Sequence, residues 1–142
     1  MASNAFNQWA QYLTNEDFGY LIEYIDNIKN GISNNKMIIF IGNGRNGKTV
    51  LIREIQTYLG NELYEYRGGD LYKLIQEENI KPLIILQEGI LDETNRRNMH
   101  FVNSLTNFIN YGISFIIETN HINNVNEKIL EHSNIIMMNH QF

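Results

Sequence analysis

The run Ile38-Ile39-Phe40-Ile41, followed at once by Gly42-Asn43-Gly44-Arg45-Asn46-Gly47-Lys48-Thr49, leaves this chain few architectures to choose from. Four consecutive apolar, mostly β-branched residues predict a buried strand, and Val50, Leu51, Ile55, Tyr58 and Leu59 recur at helical spacing beyond the glycines. A G-x-x-x-x-G-K-T string between a strand and a helix has the context of a phosphate-binding loop. The reason is local: glycines let successive backbone N–H groups curl around a diphosphate, and the new helix points its positive end at the same charge. Lys48 then reaches the β- and γ-phosphates, the Thr49 hydroxyl ligates Mg²⁺, and Gly42 through Val50 form the nucleotide-contacting stretch.

A length of 142 residues provides for one domain with one sizeable core. The expected division is a helical segment over residues 1–31 and a nucleotide-binding core over 36–142. The net charge of −5 is spread along the chain and no basic run stands out, which argues against strong independent binding to nucleic acid. Cysteine is absent, which excludes disulfides and thiolate metal sites and fits a reducing, intracellular setting. The sequence presents no secretory pattern and no apolar stretch of membrane-spanning length.

In chain order, Phe6, Trp9, Ala10 and Leu13 predict a short amphipathic helix. Thr14 and Asp17 offer a capping box for a second helix with the stripe Phe18, Leu21, Ile22, Ile25 and Ile28, stopped by Asn30-Gly31. These front helices pad the core or mediate self-association, and the sequence does not separate the two. After the loop helix come a short strand at 63–66, a helix capped by Asp70, and the buried strand Leu83-Ile84-Ile85-Leu86 behind Pro82. A longer helix carries Phe101, Val102, Leu105, Phe108 and Ile109; strands follow at 113–117 and 135–138, with a short helix at 125–130 between them. Alternating strands and helices predict an α/β three-layer sandwich of the P-loop NTPase kind, with a mostly parallel sheet of about five strands. Ligands of such sheets sit beyond the carboxyl ends of the strands, so the loops starting at Gly42, Gln87 and Glu118 carry the candidate site.

Glu88 follows a buried strand, where a carboxylate orders magnesium or polarises the attacking water. Gln87 stands where an aspartate would commonly hold the metal through water; its amide can bond metal-bound water but cannot neutralise the ion. Asn120, beyond Phe115 to Thr119, can hold the attacking water and contact the γ-phosphate, or cap the following turn. Lys48, Glu88 and Asn120 are therefore the expected catalytic residues, and Thr49, Gln87 and Glu88 the expected metal-organising ones. Arg96-Arg97 opens the long helix and is a candidate for action in a neighbouring site, while Arg45 lies inside the loop, Arg53 on the loop helix reads as part of a surface pair, and Arg67 is left without a role. His100, His121, His132 and His140 have no zinc-like spacing.

With these residues in view the chain resembles the ATPase core of superfamily-three helicases, especially the primase-helicases of large DNA viruses. The resemblance is carried by Asn46-Gly47-Lys48-Thr49 in the loop, Leu83 to Glu88 as the acidic motif, Phe115 to Asn120 as the sensor motif, and the tail Asn134 to Phe142. The spacings, 40 residues from Lys48 to Glu88 and 32 more to Asn120, are similar, and the likeness covers roughly 36–142. It implies ATP and magnesium as cofactors, a hexameric ring or place in a larger replication complex, and movement along DNA with a neighbour's arginine completing the site. Three departures stand against the full set: Gln87 replaces the first acid, Glu131-His132-Ser133-Asn134 lacks arginines before the last strand, and Asn110-Tyr111-Gly112-Ile113 lacks the DNA-contacting lysine. The leading expectation is a small helicase-like ATPase module. The alternatives are a nucleotide-dependent binding or regulatory protein without significant hydrolysis, and a small nucleotide kinase, for which the chain offers no full lid.

Overall fold

A computed structural model of the chain describes residues 2–34, 36–42, 47–60, 63–65, 83–86, 105, 107–109, 113–119 and 127–138. Five strands, β1 (Met37–Ile41), β2 (Leu63–Glu65), β3 (Leu83–Leu86), β4 (Ser114–Thr119) and β5 (Ser133–Met137), form one sheet in the order β2-β3-β4-β1-β5. All four pairings are parallel. β1 is an inner strand, with Ile39 opposite Ile117 on one side and Ile135 on the other.

Because side chains alternate across a strand, β1 serves two cores. Ile38 and Phe40 face one, with Ile116, Ile136 and the helices α2 (Asn15–Lys29) and α3 (Lys48–Leu59). Met37, Ile39 and Ile41 face the other, with Phe115, Ile117, Leu105, Phe108, Ile109 and Ile129, the last from the short helix α4 (Glu127–Glu131). Burial on both faces is why β1 reads as an unbroken apolar run rather than an alternating one. The result is the three-layer α/β sandwich the alternation predicts.

The N-terminal segment belongs to the first core. Ala2, Phe6, Trp9 and Leu13 pack with Leu21, Ile25 and Ile28 of α2 and Leu51 and Ile55 of α3. In place of one short helix the chain makes a single helical turn, α1 (Ala2–Ala5), and a 3₁₀ segment over Asn7–Gln11, and Ala10 is exposed. Thr14 caps α2 as its spacing predicts, accepting from the Asp17 N–H at 3.1 Å, and Gly31 leaves the helix with φ of 72°.

α2 is tied to the sheet through polar groups absent from its apolar stripe. The buried Tyr24 hydroxyl donates to the Phe115 carbonyl at 3.0 Å and accepts from the Phe115 N–H at 2.9 Å. Asn34 Nδ2 donates to the Tyr24 carbonyl (3.2 Å) and to Ser114 Oγ (3.1 Å), and Asn34 Oδ1 accepts from Asn27 Nδ2 at 3.0 Å. Phe18 and Ile22, by contrast, are only partly buried. The true inner face of α2 is thus rotated from the purely apolar reading toward Tyr24.

Strand limits differ from the sequence reading mainly in β4 and β5. β4 runs through Glu118 and Thr119, and Thr119 is the one of that pair that is buried. β5 begins at Ser133, whose hydroxyl donates to the Ile129 carbonyl at 2.5 Å, so the turn from α4 is closed by a side chain. The helix expected after Asp70 lies outside the described residues, and of the long helix only residues 105 and 107–109 are described, all helical.

Candidate nucleotide site

The parallel pairing brings the carboxyl ends of β1, β3 and β4 to one edge of the sheet. Ile41 is paired with Thr119 and Leu86 with Ile117, so the chain leaves these strands at nearly one level. The exit of β1 is fastened on both sides: the Gly42 N–H donates to the Thr119 carbonyl at 3.3 Å, and the Met138 N–H donates to the Ile41 carbonyl at 2.7 Å. Gly42 is buried there.

α3 begins where the loop ends. Gly47 caps it with φ of 88° and ψ of 6°, a left-handed conformation that side-chain-bearing residues adopt only at a cost. The Leu51 N–H donates to the Gly47 carbonyl at 2.8 Å and starts the helical ladder. Lys48, in the first turn, is buried at 6% exposure and its Nζ donates to the Gly42 carbonyl, folding the ammonium back across the mouth of the loop. An ammonium held at a helix N-terminus opposes the helix dipole, and burial opposes its charge as well. An anion in the loop reverses both terms, so this donor set fits a phosphate. Thr49 and Val50 follow in the same turn and are exposed.

Asn43, Gly44, Arg45 and Asn46 of the loop, and Gln87, Glu88 and Asn120 beyond β3 and β4, lie outside the described residues. What is described is the scaffold that carries them. β4, which leads into Asn120, is the immediate neighbour of β1; β3, which leads into Gln87-Glu88, is the next strand out. At the usual strand spacing that is about 5 Å for the first and about 10 Å for the second.

The fold recurs in known structures. The fold is that of the P-loop NTPases. The chain is similar to the RuvB Holliday junction branch migration motor of Thermotoga maritima, with a TM-score of 0.61 and 11% sequence identity over 92% of this chain and 46% of that one. It is also similar to PCH-2 of C. elegans, with a TM-score of 0.60 and 12% identity over 98% of this chain and 47% of that one. The chain therefore spans less than half the length of these structures. No protein-family model matches the sequence, and no curated protein matches it. At such identities the likeness establishes the fold alone.

Among the described residues no three His, Asp or Glu side chains form a cluster able to hold a metal, and no helix is long and apolar enough to cross a membrane. The P-loop architecture is the expectation that the structure supports. The superfamily-three assignment receives no such support.

Sequence reasoning missed the polar side chains that attach the N-terminal segment to α3. Glu54 accepts from Gln8 Nε2 at 2.9 and 3.1 Å and from Trp9 Nε1 at 2.6 Å. Glu54 is four residues after Val50 on the same helix face, but nothing in its spacing marks it among other exposed acids.

Proposed function

We propose that the chain binds a nucleoside triphosphate with magnesium at Gly42–Thr49 and hydrolyses it slowly, as one nucleotide-binding domain with residues 1–31 as a helical segment and 36–142 as the core. The observation that carries this reading is the buried Lys48 ammonium, folded over Gly42 at the start of α3 and backed by the inner strand of a P-loop sheet. Lys48 holds the β- and γ-phosphate oxygens, and the loop N–H groups and the helix end share their charge. Thr49, Gln87 and Glu88 would hold the magnesium, which would supply charge neutralisation for the phosphates. Glu88 accepts the proton of the attacking water, and Asn120 aligns that water with the γ-phosphate. Support for these roles is the strand order, which gives a sensor amide the nearer strand and a water-activating carboxylate the farther one.

Gln87 favours a second reading, in which bound nucleotide switches the chain between partners without significant turnover. A neutral amide leaves ground-state binding intact while weakening the charge stabilisation that only the transition state needs. Calorimetry with ATP, ADP and GTP in magnesium, alongside phosphate release, separates the readings. Lys48→Ala is expected to weaken binding by about a hundredfold, whereas Glu88→Gln keeps affinity within about twofold and abolishes release. Turnover unchanged by Glu88→Gln would leave the switch; absence of binding by the wild-type chain would overturn both.

Assembly is the third component of the proposal. The helicase resemblance suggests a ring around single-stranded DNA, whereas the net charge of −5 and the lysine-free Asn110–Ile113 stretch suggest little affinity for it. Self-association driven by nucleotide, without unwinding by the isolated chain, reconciles the two. Light scattering with and without a non-hydrolysable ATP analogue, repeated with single-stranded DNA, tests it, and a monomer in every condition would remove the helicase-like reading.

A further inference from the structure

Two cavities open on the outer side of α3, with volumes of about 540 and 220 Å³. Both are lined by Gln8, Val50 and Glu54, so they form one groove. The larger alone falls within the range of about 300–1,000 Å³ found for small-molecule sites.

The groove runs toward the phosphate loop. The N-terminal segment climbs α3 against its direction: the Phe6 ring meets Tyr58 at 5.5 Å, Trp9 Nε1–H donates to Glu54 one turn higher, and the smaller cavity reaches Tyr12 and ends on Val50. Val50 is one residue beyond Thr49 and two beyond Lys48, in the first turn of α3, and is 51% exposed. An isolated exposed valine needs no explanation. This one lines a concave surface with aromatic walls at the mouth of an anion site.

Of the polar side chains in the groove, Gln8 and Glu54 line both cavities, Arg53 and Thr57 the larger and Gln11 the smaller, and Glu54 is the carboxylate acceptor. Each oxygen of Glu54 takes a bond from Gln8 Nε2, and Oε2 takes a second from Trp9. A carboxylate accommodates about four donors, so Oε1 retains capacity for another. Flat apolar walls with a carboxylate between them suit a planar ring whose edge donates hydrogen bonds.

Resting on the phosphate-loop reading, we infer that this groove holds the nucleoside half of the bound triphosphate. The base lies against Val50 at the Tyr12 end, and its exocyclic amino group donates to Glu54. The occupant class is a nucleoside triphosphate with an amino-bearing base, and the N-terminal segment is then part of the binding site as well as of the core. Glu54 rejects a base that offers only carbonyl oxygen at that edge, because two acceptors would face one another.

The test compares ATP, inosine triphosphate and inorganic triphosphate by calorimetry, and follows Trp9, the only tryptophan, by fluorescence. ATP is expected to bind about tenfold or more tighter than inorganic triphosphate, to exceed inosine triphosphate by about fivefold, and alone among the three to quench Trp9 strongly. Val50→Phe fills the narrow end at an exposed helix position and is expected to cut the ATP-to-triphosphate affinity ratio by about tenfold. Equal affinity for ATP and inorganic triphosphate, or a ratio unmoved by Val50→Phe, overturns the groove assignment and leaves the phosphate loop standing. Binding of none of the three overturns both.

Discussion

Replacing Tyr24 with phenylalanine removes one oxygen atom and little else, which makes it a clean probe of the join between α2 and the sheet. The ring stays, so the apolar packing of a side chain only 1% exposed is retained. What is lost, besides a bond with the Ser114 side chain, is the partner of two backbone groups on one residue: the Phe115 N–H loses its acceptor at 2.9 Å and the Phe115 carbonyl loses a donor at 3.0 Å. A buried polar group left without its partner costs about 1–3 kcal/mol, and the two together, less the desolvation of the hydroxyl itself, give about 3 kcal/mol. With a urea m-value of about 2 kcal/mol/M, the midpoint of unfolding falls by about 1.5 M with no change in slope. The control is Tyr20→Phe, on the same helix and only partly buried, whose hydroxyl loses one bond to the Asn134 side chain and which is expected to shift the midpoint by about 0.5 M or less. A Tyr24→Phe shift as small as the control's would refute the argument, since it would mean that Phe115 finds equivalent partners without the hydroxyl.

The same tyrosine predicts a limit on alkaline stability. Burial pushes the Tyr24 hydroxyl well above its ordinary value of 10.0, with Ser114 and the Phe115 backbone opposing the shift, so the folded chain keeps its proton after the unfolded chain has released it. Its contribution is complete below pH 10 and declines above it, and the stability difference between wild type and Tyr24→Phe is expected to narrow by about 1.4 kcal/mol per pH unit there. Chemical denaturation at pH 9, 10 and 11 measures it, and a constant difference would contradict the assignment. Gly47→Ala places a Cβ in the left-handed region at a cost of about 1–2 kcal/mol, expected to appear as about tenfold weaker nucleotide binding with an unchanged circular dichroism spectrum. Unaltered affinity would show that the loop can bind through another conformation.

The core motif was legible because its determinants are local. Ile38 to Ile41 had to be a doubly buried strand, and the glycines had to be followed by a helix; both are found, with Gly60 closing α3 as expected. β3 occupies the four residues its apolar run marks out. The strand order is a different matter. Nothing in Leu83–Leu86 or Phe115–Ile117 says which of them lies beside β1, since both are apolar runs of similar length and the choice depends on how two crossovers pass over the sheet. The partners of Tyr24 and Glu54 were hidden for the same reason: their hydrogen bonds span 91 residues in one case and 45 or 46 in the other, and no periodicity reports on such separations.

The double fastening of the β1 exit has a mechanical meaning. Gly42 is bonded to the end of β4 and Ile41 to the residue after β5, so the root of the loop is not a hinge. The Gly42 and Met138 N–H groups are held by strand-end carbonyls and are expected to exchange slowly, as part of the sheet. A force applied at the loop has no slack to take up there. A displacement of Gly42 is shared with β4 and β5, the two strands that flank it.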